Sequence, residues 1–322
     1  MTGSGFAAPG VWALSKPPPP SPAQAVRIGQ YARGDEVFDV FEREGRLMAL
    51  LPDCTVAALL PFRRNRYVVN AAPGEDTSAS RQIGFSAAEA PLAYLTLQRV
   101  RYPRRDFGED AIAAFQASLD SSSAPPGPPM TCPASDGLRP DLVAVQAIAK
   151  GLREDMRYAT SRNFLGFAIY DRPEAFLHRP AAEALRDADA DLARYGYGLV
   201  IHDAYRPWSV TKLFWDNVPE QYRGFIADPS VGSVHNRGCA VDVSLLNRST
   251  GLIADMPSRY DEPTGRSASA YPGGSSLQRW HRGLLDAAMS SHGFKCHPAE
   301  WWHFDFEGWE QVAVADRPLE SL

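Results

Sequence analysis

Two stretches of the chain, Ser233-Val-His-Asn-Arg-Gly-Cys-Ala-Val-Asp242 and, well downstream, Glu300-Trp-Trp-His303, set two imidazoles and two carboxylates among apolar and small residues. Burying such groups is costly unless they are paired or hold a metal, so the fold must bring the two stretches together. The aspartate between Val241 and Val243, in an apolar run that alternates like a strand, needs a strong partner to offset its desolvation. Catalytic zinc is usually held by three protein ligands, with a further position left for water. His235, Asp242 and His303 can be those ligands, and Glu300 can be the base that takes the water's proton. The small frame of Ser233, Gly238 and Ala240 lets backbone approach a buried ion. Taken singly, each has a plainer reading. Either histidine could be structural, Asp242 could cap a turn or pair with Arg237, and Glu300 could be a surface acid.

The rest of the chain narrows the setting. Its 322 residues allow two domains, and 44% hydrophobic content is enough for a core in each. Net charge is −5, from 33 basic and 38 acidic residues without a dense basic cluster, which argues against nucleic acid as a partner. A small polar substrate fits this balance, and no apolar run is long enough for a membrane span. Residues 1–25 lack a basic start followed by an apolar core, which favours a cytoplasmic location, with the periplasm or cell envelope as the alternative. Cys54, Cys132, Cys239 and Cys296 have no C-x-x-C spacing and read as free thiols, Cys239 and Cys296 lying near the candidate ligands.

Breaks rich in proline and serine divide the chain. Residues 1–25 read as a flexible proline-rich start, 26–120 as a small β-rich accessory domain, 121–139 as a linker, and 140–322 as the catalytic domain. In the accessory domain, 37–41, 47–50, 67–69 and 93–97 are β-branched or aromatic runs typical of antiparallel strands, and no set of catalytic residues stands out. What this domain binds is left open. The catalytic domain reads as α+β, a mostly antiparallel sheet with flanking helices. Helices are expected over 141–152, 180–195, 208–215 and 276–291, with Leu185, Ala188, Leu192 and Tyr195 as the apolar stripe of the second. Strands are expected over 199–201, 240–245 and 302–306. Residues three apart on a regular strand point to opposite faces. Glu300 therefore reaches the face of His303 only from a turn or bulge. His178, His281, His292 and His297 are expected at the surface or at helix ends.

Both opening stretches resemble the zinc D-alanyl-D-alanine dipeptidases of the VanX type, whose pattern S-x-H-x-x-G-x-A-x-D is followed by E-x-W-H, with every fixed position present. Further matches are Tyr158-Ala-Thr with Asn163-Phe164, Asp203-Ala-Tyr-Arg206-Pro207 and Met256-Pro-Ser-Arg-Tyr-Asp261. The resemblance implies one zinc ion on His235, Asp242 and His303, Glu300 as general base and Arg206 as stabiliser of the carbonyl oxygen. It also implies that Tyr158 and Asp261 hold the ammonium end of a D,D-dipeptide such as D-Ala-D-Ala, and that Ser233 bonds near its carboxylate end. Plainer roles remain open for these. Arg206 could simply pair with Asp203, Tyr158 could be a packed aromatic, and Asp261 a loop acid beside Glu262. His202 and Pro257 depart from the usual pattern, which could shift substrate preference. Two rivals keep the same metal site, a carboxypeptidase trimming peptidoglycan stems and a zinc-containing module without catalysis.

Overall fold

A computed structural model describes residues 15–70, 82–86, 94–105, 108–120, 130–133 and 137–322, so 121–129 and 134–136 of the expected linker over 121–139 lie outside the described residues. The N-terminal part opens with a one-turn helix, α1 (Pro22–Ala25), capped by Ser21 and Gln24. Strands β1 (Gly29–Arg33), β2 (Glu36–Arg43), β3 (Arg46–Leu50), β4 (Val56–Arg63), β5 (Arg66–Asn70), β6 (Gln82–Phe85), β7 (Tyr94–Leu97) and β8 (Val100–Pro103) then form an antiparallel meander in chain order. The β2–β3 turn shows how locally this is set. Glu44 and Gly45 both have positive φ, 52° and 78°, the pair that a tight hairpin needs to match strand twist. A bridge between Tyr31 and Arg104, and the bond from the Arg105 amide to the Gln30 carbonyl, bring the end of the meander back to β1. Alternate residues such as Leu47 and Ala49 fill the interior with Tyr31, Phe38 and Leu95. Ala93, expected to begin a strand, lies outside the described residues.

Strand β2 departs from alternation because it is buried on both faces, with Asp39 and Phe41 shielded as well as Phe38 and Val40. Its outer face rests on the second half of the molecule. Helix α2 (Glu109–Asp120), within the stretch read as β-rich, also turns toward that half, and its Phe115 meets Phe164 and Tyr222 in the C-terminal core.

The C-terminal half is α+β, as its pattern suggested. After β9 (Leu142–Ala144), α3 (Val145–Ile148), β10 (Arg153–Glu154), β11 (Phe176–His178) and α4 (Arg179–Ala193) come β12 (Tyr197–Asp203), α5 (Trp208–Asn217), β13 (Ala240–Asn247), α6 (Ser276–Ser290), β14 (Phe294–His297) and β15 (Glu300–Phe306). The five-stranded sheet runs β10-β12-β13-β15-β14, and only the β10–β12 pair is parallel. Strand β12 is buried along its whole length, and α4 and α6 pack on the sheet and on each other. In α4, proline in the first turn and a stripe of Leu185, Ala188 and Leu192, each fully buried, explain both start and docking face.

Two expectations are corrected here. The helix over 141–152 is instead a short strand pairing with β11 and a single helical turn, because that pairing outweighs a weak helical preference and Gly151 at φ 84° ends the run. Tyr195 lies beyond the end of α4 and is 37% exposed, so it leaves the stripe.

Candidate active site

Adjacent strands deliver the carboxylate and one imidazole together. Asp242 on β13 is the register partner of His303 on β15, and His303 Nδ1 lies 3.0 Å from Asp242 Oδ1. The second imidazole arrives from a 3-10 turn, His235–Arg237, which Gly238 ends at φ 66°. A Cβ at Gly238 would sit 2.5 Å from the Leu142 side chain and 2.9 Å from the His178 amide, so only glycine fits this turn. His235 Nε2 then lies 3.1 Å from His303 Nδ1 and 3.3 Å from Asp242 Oδ1.

The outer atoms of each group decide what the inner atoms can do. His235 Nδ1 is 2.6 Å from the Ala204 carbonyl, which can only accept, so Nε2 turns a lone pair inward. His303 Nε2 is 2.9 Å from Asp305 Oδ1, which leaves its Nδ1 facing the same point. Asp242 Oδ2 accepts from the Tyr260 hydroxyl at 2.9 Å, freeing Oδ1 for the centre. Three acceptors converge where a cation is needed to hold them. Ligand atoms on tetrahedral zinc lie about 3.4 Å apart, given bonds of about 2.1 Å, and the three separations here are close to that spacing. The donor set therefore fits a metal ion. Titration reflects the same crowding. Burial alone would lower the His303 pKa, but Asp242 and Asp305 push it up to about 10. Burial opposes charge on Asp242, yet His235 and His303 hold it well below the usual carboxylate range.

Glu300 is the first residue of β15, where pairing slips: Cys296 faces Phe304, but His297 faces Glu300. This bulge turns Glu300 to the same cavity as His303, as strand geometry required. Burial, and the negative field of Asp242, raise its pKa to about 7, although His303 pulls the other way. Arg206 is bonded through Nε and Nη2 to Asp203 Oδ2 at 2.9 and 2.7 Å, and its guanidinium packs over Phe214 at 4.9 Å and Tyr158 at 5.4 Å. The plain salt bridge is thus present, and Arg206 still lines the cavity. The Tyr158 hydroxyl donates to Asp261 Oδ2 at 3.1 Å, and Asp261 takes a left-handed φ of 57°. Burial first, then Asp242 and Glu300, raise the Asp261 pKa well above normal. Ser233 Oγ accepts from the His235 amide at 3.2 Å.

Every residue singled out in sequence lines one cavity of about 310 Å³: Tyr158, Arg206, Ser233, His235, Asp242, Asp261, Glu300 and His303. Tyr260, Asp305 and Asn236 were not foreseen. Asp305 follows His303 by two on a strand and so shares its face, a signal that was readable. Asn236 is fully buried and binds the Arg206 carbonyl, the Thr211 hydroxyl and the Ser233 amide, tying the histidine turn to the arginine. One histidine expectation fails: His281 is 5% exposed, bonded to the Tyr197 hydroxyl and the Asp255 carbonyl. His297 is exposed, as expected, and borders the cavity with its ring 5.5 Å from that of His303. His202 stacks on Tyr260 at 4.7 Å, behind the cavity wall. The described cysteines are free, and none joins the ligand cluster among the described residues.

A mostly antiparallel sheet presenting such a cluster beside a half-buried acid has the build of a metallopeptidase, and comparison with known proteins agrees. The chain belongs to the D-ala-D-ala dipeptidase family of peptidases, whose model matches residues 139–320. It is 35% identical over 165 residues to the D-alanyl-D-alanine dipeptidase of Escherichia coli, covering 51% of this chain and 84% of that protein. The enzymes of the same name from Enterococcus faecalis and Enterococcus faecium are 31% and 32% identical over 175 and 178 residues, covering 48% and 49% of this chain and 85% and 87% of those proteins. Among the described residues no helix is long and apolar enough to cross a membrane.

Proposed function

We propose that this protein is a zinc-dependent dipeptidase that hydrolyses D-Ala-D-Ala, or a closely related D,D-dipeptide, to free D-alanine. The observation that carries this reading is the single cavity holding a cation-demanding ligand cluster, an acid with a pKa of about 7, and a phenol–carboxylate pair. The names of the relatives supply the substrate class. His235, Asp242 and His303 would hold the zinc, which supplies a Lewis acid and lowers the pKa of water to about 7.

The remaining steps belong to protein side chains. Glu300, ionised, takes a proton from the attacking water as its oxygen bonds to the peptide carbon, then passes that proton to the amine nitrogen as the C–N bond breaks. Arg206 stays charged beside Asp203 and offers its guanidinium to the carbonyl oxygen as negative charge builds there. Asp261, already crowded by Asp242 and Glu300, gains most from a cation, and with the Tyr158 oxygen it makes the seat for a free ammonium group. Ser233, two residues before His235 on the cavity lining, would bond the carboxylate end of the dipeptide.

The test is D-alanine release from D-Ala-D-Ala, beside L-Ala-L-Ala and N-acetyl-D-Ala-D-Ala, using zinc-loaded wild type and Glu300→Ala. Cleavage of the free D,D-dipeptide alone, abolished in the variant, is expected. Cleavage of the acetylated compound would move the protein to the carboxypeptidases, and no cleavage at all would reduce it to a binding module.

A further inference from the structure

The segment between β13 and α6 carries both Tyr260 and Asp261, yet its only helical piece is a 3-10 turn, Gly265–Ser267. Loops of this kind are ordinarily among the least stable parts of a fold. This one must hold Asp261 at a left-handed φ of 57°, a conformation that costs free energy for a residue with a Cβ. Its internal fastener is Glu262, which is 1% exposed and, like Asp261, borders the cavity. Glu262 Oε2 accepts from the Arg259 amide at 3.0 Å, and Oε1 from the Thr264 hydroxyl at 2.7 Å and Arg266 Nη1 at 3.3 Å. Its carbonyl accepts from the Ser267 hydroxyl at 2.6 Å, and Arg266 in turn donates to the Pro257 carbonyl at 2.5 Å.

The other tethers come from outside residues 139–320, the part shared with the family. The Gly108 amide donates to Glu262 Oε2 at 2.8 Å. The Tyr271 hydroxyl donates to Asp39 Oδ1 at 2.5 Å, and the Glu42 amide to the Gly274 carbonyl at 3.0 Å. Glu42 also receives the Ser276 amide at 2.7 Å, and its carbonyl takes Arg279 Nη2 at 2.7 Å. Asp39, Glu42 and Tyr271 are all buried, so these bonds are shielded from water.

We infer that the N-terminal barrel is a positioning part of the active site, clamping the loop that carries Asp261, with Glu262 as the positioning residue that passes the clamp on. The inference rests on reading Tyr158 and Asp261 as the ammonium seat. An ammonium contact present in ground and transition state alike affects KM and spares kcat.

Full-length Glu262→Gln, and a milder Tyr271→Phe/Glu42→Gln double variant, test it through kinetics with D-Ala-D-Ala, thermal unfolding, and amide exchange over 256–275. Loss of one such charged bond is worth about tenfold, so KM rises about that much in Glu262→Gln while kcat stays within about twofold. Exchange across 256–275 speeds up in both variants, with β12 unchanged. Unaltered KM and exchange in the folded variants overturn the clamp, as does a loss confined to kcat or one that follows the unfolded fraction. Amide exchange reads the clamp without catalysis, so a wild type inactive on D-Ala-D-Ala would sink the substrate reading separately.

Discussion

Asp242 divides its oxygens, one toward the two imidazoles and one toward the Tyr260 hydroxyl. Tyr260→Phe removes the second bond without changing shape, so zinc affinity should fall by about 10- to 100-fold, as a chelator titration would measure. Glu300→Gln should keep zinc and lower kcat by about 10²- to 10⁴-fold, read by metal analysis beside turnover. The productive form of Glu300 is ionised, so kcat/KM falls as pH drops through its pKa, about 7 here. A bound dication would stabilise the carboxylate, which sets the acid limb at or below that value. A limb well above it would remove Glu300 as the base. At this scale the convergence of His235, Asp242 and His303 was legible because the chemistry is written locally, in small residues beside a histidine and an aspartate between valines. Tyr260 was not, since nothing in Ser258-Arg-Tyr260 announces that its ring crosses to β13.

At the scale of elements, periodicity foretold α4, α5, α6 and the three strands that meet at the site, to within a few residues. It failed where pairing with a distant partner decided the outcome. Residues 142–144 became a strand because β11 was there to receive them, and α2 turned its Phe115 toward the C-terminal core. The β15 bulge was legible in another sense, as the geometric condition for Glu300 and His303 to share a cavity. The turn ending at Gly238 is the element most exposed to mutation. Gly238→Ala forces a Cβ into Leu142 at 2.5 Å while φ stays near 66°, and should cost about 1–3 kcal/mol. Thermal unfolding reads that cost, and a parallel zinc titration should show weaker binding as His235 shifts.

For the whole molecule, the proposed zinc would link metal binding to folding. Ligands drawn from a 3-10 turn and two strands meet only in the folded state, so zinc at about a hundred times its Kd should add about 2.7 kcal/mol of stability. Chelation should lower the melting temperature and abolish turnover, and zinc should restore both; an unchanged melting curve would sink the linkage. The N-terminal half was legible as β-rich but not as a neighbour of the site, because Asp39 and Glu42 look like ordinary strand polar residues until Tyr271 and Ser276 are seen against them. The return of its meander to β1 has a consequence for any partner. The bridge and the backbone bond at this seam occupy part of the β1 edge, so among the described residues less of it stands open as a row of idle amides and carbonyls, the template on which foreign strands assemble. A partner adding a strand at this seam would have to displace Arg104 and Arg105 first, which favours recognition through side chains.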